Sequence, residues 1–495
     1  MKSHNKDIKF PAKIYAETIL TPNFKDSQKY FFDSLMHLHY AHCLMLAKQR
    51  IITRHEAVTS LKGLDSLDRA GILRAKYDGS VEDLYFYIER ELIKKIGEET
   101  AGKLHIARSR NDIDVTLYRM KLRSEVLSLT NDLISLRNEL IRLARANLKT
   151  VMPAHTHTQP AQPTTLAHYI SAALEFLSRD IARFRRSFEY VNRSPLGACA
   201  ITTTGFDINR MHTAGLLGFE GLVENLYYAI GGIDYLLEAV CAIATSAVSL
   251  GKFTQDLLLW ATQEFSFLTL NNGYVQTSSI MPQKRNPVAL EHVRILLSKS
   301  FGQAQAVMTS VHNTPFGDIN DVEDDLQPLV YSTFYDAGRA VKLLTGAVAA
   351  IEIDRQGLKN KASGSFLTMT ELADTLTREE KLSFKMAHRL VTQTVKRLPG
   401  TCPNHHEIVD TLMILAKEIL GRELKTSRKT LIEGLCPLNF VNVRNVTGGP
   451  APAVVADFLS RQKQVASDDL RWAKGKMELL VGFPKKIDKE KSKLI

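Results

Sequence analysis

Cysteine is scarce in this sequence, and the pattern that would put it to chemical use is missing. Five occur in 495 residues, Cys43, Cys199, Cys241, Cys402 and Cys436. They are widely separated, and no C-x-x-C pair is present to hold zinc or cycle between thiol and disulfide. They read as reduced, mostly buried thiols. No G-x-G-x-x-G follows a strand-like run, which argues against a Rossmann dinucleotide domain. Alternating strand patterns are nearly absent too, and the single Asn272-Gly273 lies in a polar stretch rather than between two strands. Nothing approaches the ~18 uncharged apolar residues of a membrane span. The polar start Met1-Lys2-Ser3-His4-Asn5-Lys6-Asp7 has no apolar segment behind it, so the expectation is a cytoplasmic protein without membrane contact. No repeat and no low-complexity tract is found apart from a charged tail.

What the sequence does contain is length, helical periodicity and positive charge. A chain of 495 residues exceeds one compact core and predicts several domains. Apolar residues recur at i, i+3, i+4, i+7 over Asn131 to Leu148, Leu236 to Leu268 and Val341 to Ile351, so the predicted fold class is all-α. Ala229 to Leu268 is too apolar around its circumference to lie on a monomer's surface. It predicts a helix inside a bundle, and oligomerisation as the means of covering it. The net charge of +11 is spread along the chain. Its one dense cluster, Lys485 to Lys493, is interleaved with acids and lacks aromatics for base stacking, which argues against a nucleic-acid partner.

Three irregular polar stretches interrupt the helices. In the first, Gly102 to Asp114, the run Arg108-Ser109-Arg110-Asn111 packs cationic and amide donors into a turn at a helix start. That set suits a carboxylate, and equally an N-cap with a solvated basic face. In the second, Met152 to Thr165, His155, Thr156 and His157 sit among Pro153, Pro160 and Pro163, which stiffen the backbone around a candidate acid or base. Two histidines two apart, with no H-E-x-x-H and no cysteine nearby, argue against a metal. In the third, Asn271 to Pro287, Ser278 and Ser279 lie near Lys284 and Asn286, with Glu291 one helical turn on. A serine acts as a base only where its alkoxide is stabilised, and a lysine with backbone amides supplies that field. Taken together, the stretches fit proton abstraction beside a carboxylate in a small anionic substrate, with no cofactor motif.

The run Ser278-Ser279-Ile280-Met281-Pro282-Gln283-Lys284-Arg285-Asn286-Pro287 resembles the signature loop of the fumarase/aspartase superfamily. Ala107 to Asp112 and Met152 to Pro163 resemble its two other shared regions in the form found in the argininosuccinate lyase family. Gly364 to Asp374 and Phe440 to Pro452 are similar to that family as well. The resemblance implies a three-domain fold: an N-terminal helical domain over 1–107, a central long-helix bundle over 108–361 carrying the loop 271–287, and a C-terminal helical domain over 362–495. It also implies a homotetramer with a twenty-helix core, in which each active site takes one region from each of three subunits.

By the same resemblance, Ser278 removes the proton beside a succinyl carboxylate, while Lys284 and Asn286 stabilise the aci-carboxylate. Ser109, Arg110, Asn111, Thr156, Ser279 and Met281 cradle the succinyl part, and His157, paired with Glu291, assists acid–base chemistry. The product is fumarate, and the implied substrate is argininosuccinate.

The sequence departs from that family where the amine half would bind. A tyrosine, a glutamine and a lysine usual there are replaced by Asp318, Glu323 and Leu326, and two arginines by Ile233 and Pro160. Losing cations and gaining acids weakens a site meant for a carboxylate. The segment Phe31 to His42 resembles relatives that cleave aminopolycarboxylic acids such as ethylenediamine disuccinate, so a lyase for another N-substituted aspartate is the alternative expectation. A catalytically silent relative like the lens crystallins is the remote one.

Overall fold

A computed structural model describes residues 10–364, 366–398 and 404–495. Ser365, Cys402 and the polar start Met1 to Asp7 lie outside the described residues. The chain opens with short helices and α1 (Phe32–Lys48), then builds a bundle from α2 (Arg110–Arg145), α3 (Leu166–Val191), α4 (Asp234–Trp260), α5 (Val288–Ser310) and α6 (Gln327–Ala349). Helices Met369–Glu380, Phe384–Arg397, His405–Leu420 and Arg428–Gly434 follow, and α7 (Pro452–Leu494) closes the chain. Among the described residues the fold is all-α apart from three two-stranded antiparallel ribbons: β1 (Val151–Thr156) with β2 (Gln159–Thr165), β3 (Leu268–Leu270) with β6 (Ile351–Ile353), and β4 (Gln276–Thr277) with β5 (Arg285–Asn286).

Helix α2 sets the scale of the molecule. Its 36 residues contain no glycine or proline, and a capping box starts it, with the Ser109 side chain and Asp112 satisfying each other's backbone N–H. At 1.5 Å per residue the helix is about 54 Å long. Its inward stripe, including Ile113, Leu117, Leu127, Ile134 and Ile141, packs in one apolar core with residues of α1, α3, α4, α5 and α6. The helices between 369 and 434 enclose a second core around Leu376, Leu390, Leu412 and Leu431. Helix α7 belongs to the first core, returning Val455, Leu459, Ala473 and Phe483 to it.

Among the described helices, only α4 is long and apolar enough to cross a membrane by length and composition. Leu236, Val240, Ile243, Leu250 and Leu257 are buried in the bundle, as predicted for this segment. Val248 and Leu259 remain exposed, with Ile295 and Tyr335 exposed on α5 and α6. The expected helix to Leu268 stops short: α4 ends at Trp260, Ser266 takes a left-handed φ of 48°, and Phe267 N–H bonds back to Trp260 O before β3 begins.

One buried ion pair ties the first bundle helices to α7. The Arg137 guanidinium, fully buried on α2, lies 2.7 Å from Asp469, which is also 2.5 Å from Arg185 on α3. Removing one member leaves a buried charge uncompensated, at a cost of about 3–5 kcal/mol. Asp469→Ala is therefore expected to lower the melting temperature by several degrees, and an Arg137→Met/Asp469→Leu pair to recover most of the loss. Equal melting of parent and single variant in calorimetry would remove this role.

Candidate active site

The first polar stretch folds into a turn braced from beneath. Arg108 is buried and donates to His39 Nδ1 at 3.1 Å. Asp112 is buried and accepts three backbone N–H groups, from Ser109 at 2.9 Å, Gly197 at 2.8 Å and Cys199 at 3.0 Å. Burial pushes its carboxyl up to about 6 against the pull of those donors. Ser109 Oγ donates to Asn111 Oδ1 at 3.0 Å, and Asn111 Nδ2 donates to Ala200 O at 3.0 Å. Ser109 and Asn111 thus share one surface at the start of α2. Arg110 is held between two carboxylates, 3.0 Å from Asp83 and 2.8 Å from Asp114.

The second stretch is irregular in sequence but forms the β1–β2 hairpin, with Thr156 opposite Gln159. A two-stranded ribbon leaves each strand a free edge, and such edges tolerate Pro153, Pro160 and Pro163. The tip is His157-Thr158, at φ of 50° and 62°, the backbone of a two-residue hairpin turn that normally selects Asn or Gly. Holding a β-branched threonine and a histidine there costs of order 1–3 kcal/mol each. The exposed imidazole of His157 stands at this strained point. Thr156 is exposed beside it, and His155 packs 5.9 Å from the Phe265 ring.

The third stretch is a loop on the β4–β5 ribbon. Arg285 fixes its base, donating to Asn272 Oδ1 at 2.5 Å and to Leu270 O at 2.8 Å. Ser278 Oγ accepts from the backbone N–H of Ile280 at 3.2 Å and of Met281 at 3.0 Å. Those two donors face the oxygen where an alkoxide would develop. Ser279, Met281 and Lys284 are exposed, Asn286 is partly buried, and Glu291 is exposed in the first turn of α5.

The bundle keeps the first stretch apart from the second. The hairpin follows the C-terminal end of α2, where Arg142 bonds to Ala349 O at the end of α6 and His155 meets Phe265. The turn with Ser109, Arg110 and Asn111 lies at the other end of α2, about 54 Å away. Among the described residues, no hydrogen bond or ion pair joins Ser278, Lys284 or Glu291 to His157 or to residues 109–111. One chain alone does not assemble the expected set.

At the N-terminal end of α2 a cavity of about 380 Å³ is bounded by Phe24, Asp83, Arg110, Asn111, Asp318 and Glu323, among others. Two of the replaced positions, Asp318 and Glu323, face this space. Leu326 does not: it is buried in the core as α6 begins. Ile233 packs against the core before α4, and Pro160 is exposed on β2. Burial and then Asp318 push the Glu323 carboxyl up to about 8. Burial raises Asp114 and Asp324 as well, and Tyr118 Oη donates to Asp324 at 2.9 Å. Asp83, Asp114 and Asp324 were not singled out from the sequence, because acids scattered over three distant segments carry no local pattern.

Glu323 gives a pH test. A carboxyl whose folded pKa lies above its unfolded value is costly once ionised, because the unfolded chain releases its proton first. Its stability contribution is therefore lost as pH rises from about 4.5 to about 8. Glu323→Gln is expected to gain about 1–2 °C in melting temperature over the parent at about pH 8.5, and nothing below about pH 4.5. A melting difference that is the same at both ends would contradict this.

Residues 7–302 match the sequence model of a family described as lyase. Argininosuccinate lyase 2 of Agrobacterium fabrum (strain C58) is 41% identical over 448 residues, covering 90% of this chain and 88% of that protein. The argininosuccinate lyase of Methanocaldococcus jannaschii is 33% identical over 453 residues, covering 90% and 92%. Among solved structures, an EDDS lyase variant with bound fumarate superposes with a TM-score of 0.85 at 29% identity, covering 96% of both chains. A fumarate lyase from Mesorhizobium sp. BNC1 shares the fold, with a TM-score of 0.72 at 18% identity over 87% of this chain and 95% of that one.

Proposed function

The chain belongs to the lyase family whose sequence model spans residues 7–302, and from that membership we propose that it is a carbon–nitrogen lyase releasing fumarate from an N-substituted aspartate. Argininosuccinate, cleaved to arginine and fumarate, is the first substrate to assign. The relatives of 32–41% identity over about nine-tenths of the chain carry that name.

The observation that carries the reading is the setting of Ser278, an exposed-loop hydroxyl whose oxygen already accepts two backbone N–H groups. Deprotonated, Ser278 takes the proton from the carbon beside the succinyl carboxylate. The electron pair moves into that carboxylate, and Lys284 and Asn286 stabilise the resulting dianion. Collapse restores the carboxylate, forms a new carbon–carbon double bond between the two central carbons, and expels the nitrogen, which keeps the electrons of the broken C–N bond and takes up a proton. His157, paired with Glu291, manages the protons of this exchange. Ser109, Arg110, Asn111, Thr156, Ser279 and Met281 hold the succinyl half.

Because α2 holds the Ser109–Asn111 turn and the His157 hairpin at opposite ends of one chain, the site is proposed to form in a homotetramer, with Ser109 to Asn111, Thr156 and His157, and the Ser278 loop coming from three copies. The exposed apolar residues on α4, α5 and α6 are surfaces such packing would cover. The reaction is placed in the cytoplasm, and no step calls on a metal or cofactor. A second reading, cleavage of an aminopolycarboxylate such as ethylenediamine disuccinate, is favoured by the 96% mutual coverage with the EDDS lyase structure. A silent, crystallin-like role fits poorly with an intact set of Ser278, Lys284, Asn286, His157 and Glu291.

Fumarate release is read by ultraviolet absorbance with argininosuccinate and, separately, ethylenediamine disuccinate. Ser278→Ala is expected to abolish turnover with the assembly intact, and His157→Asn to slow it by about 10²–10⁴. Two inactive variants, Ser278→Ala and Asn111→Ala, are expected to regain measurable activity when their subunits are mixed. Residual turnover in Ser278→Ala would break the base assignment, and failure of mixing would break the shared site.

A further inference from the structure

The turn that holds Ser109, Arg110 and Asn111 is to receive a carboxylate, yet the charge of Arg110 is already spent. Its guanidinium lies 3.0 Å from Asp83 and 2.8 Å from Asp114. Beneath the turn, Arg108 is 6% exposed, and among the described residues no ion pair joins it to a carboxylate. It donates instead to an uncharged acceptor, His39 Nδ1, at 3.1 Å. Asp112, which feels the Arg108 charge, turns its oxygens to the backbone N–H groups of Ser109, Gly197 and Cys199. Arg108 is therefore the cation of this turn with charge left for an incoming anion.

The surroundings keep that charge in place. Accepting from Arg108 fixes the proton of His39 on Nε2. Burial, and then the Arg108 charge, hold the ring neutral by pushing its pKa well below the ordinary imidazole value. Tyr85, 1% exposed, stacks on His39 at 5.5 Å and 29°, and both guanidinium carbons lie against its ring, Arg108 at 5.4 Å and Arg110 at 5.3 Å from the centroid. A hydrogen bond of 2.9 Å to His105 Nδ1 anchors the Tyr85 hydroxyl. As packing alone the arrangement is poor: His39 Nε2 and Arg108 Nε are buried with no hydrogen-bond partner, and apolar side chains of similar volume would avoid that cost. His39, Tyr85 and Arg108 are all buried within one chain, so the copies that complete the site leave this group as it stands.

We infer that Arg108 supplies the positive potential of the succinyl-binding turn from below, and that His39 and Tyr85 are the residues that position it. Arg108 acts through its field, because a charge held in a low-dielectric interior is felt more strongly at a nearby surface than one in water. The ligand it favours is a dianion over a monoanion of the same shape. This rests on the proposed lyase reading and adds a source of charge to its succinyl site.

The test is inhibition of fumarate release in the full-length enzyme by two substrate fragments, succinate, a dianion, and its monoamide, a monoanion of nearly the same shape, at about pH 8, where carboxylates are ionised. A charge acting through space couples to the ligand's own charge, so its loss weakens a dianion about twice as much, in free energy, as a monoanion. Arg108→Met/His39→Leu replaces both partners by apolar side chains and leaves neither one buried unpaired. It is expected to raise the Ki of succinate about tenfold and that of the monoamide only about threefold. His39→Asn, which keeps an acceptor for Arg108, is expected to stay within about twofold of the parent for both ligands. Equal losses for the two ligands would mean that the turn has merely come apart, and unchanged Ki values that Arg108 is structural only. Either overturns the inference and leaves the lyase reading standing. If the parent releases no fumarate from argininosuccinate or from ethylenediamine disuccinate, the lyase reading fails and the inference falls with it.

Discussion

The rigidity and length of the helix Arg110–Arg145 govern the rest of the molecule. An uninterrupted helix of 36 residues cannot bend back on itself, and its inward face packs into one apolar core with the other long helices. The turn that starts it and the hairpin that follows it are therefore held about 54 Å apart. Two of the three chemically loaded stretches are fixed at opposite ends by a single element. In the proposed assembly this becomes an advantage: rigid helices from neighbouring copies present their ends to one another, and groups that no one chain can bring together meet without any chain bending.

Each stretch is prepared locally for a role it cannot complete alone. Asp112 accepts three backbone N–H groups and so ties the Ser109–Asn111 turn to the loop at 197–199. The hairpin tip holds His157 in a left-handed conformation that its side chain disfavours. The Ser278 oxygen already accepts two N–H donors. Such preorganisation is costly in the free chain and is recovered when the reacting charge appears. In the acidic cleft, burial raises Glu323, Asp114 and Asp324, and neighbouring carboxylates add to the rise.

Much of the fold was legible from residue order. Periodicity located parts of three bundle helices, α2, α4 and α6, and of the apolar stretch from Ala229 to Leu268 the helix Asp234–Trp260 lies inside the bundle as expected, while Ala229 and Ile230 join a separate small cluster. Periodicity carried α4 too far, because Phe265, Phe267 and Leu268 continue the apolar pattern after the chain has turned at Ser266 and entered a strand. The hairpin from Val151 to Thr165 was hidden, since three prolines and a non-glycine turn are the opposite of ordinary strand signals.

The motif residues Ser109, Asn111, His157, Ser278 and Lys284 were visible in the sequence by themselves, because each belongs to a short contiguous run whose chemistry depends on neighbours one to three residues away. So was the lyase family, which those runs identify. Tertiary structure alone decided where the runs lie relative to one another, that Arg110 is paired with two carboxylates, and that Asp83, Asp114, Asp318 and Glu323 share one cleft. The physical reason is range. Hydrogen bonds in a turn are set by local backbone geometry, whereas the charge of a cavity is the sum over side chains that only packing brings within a few ångströms.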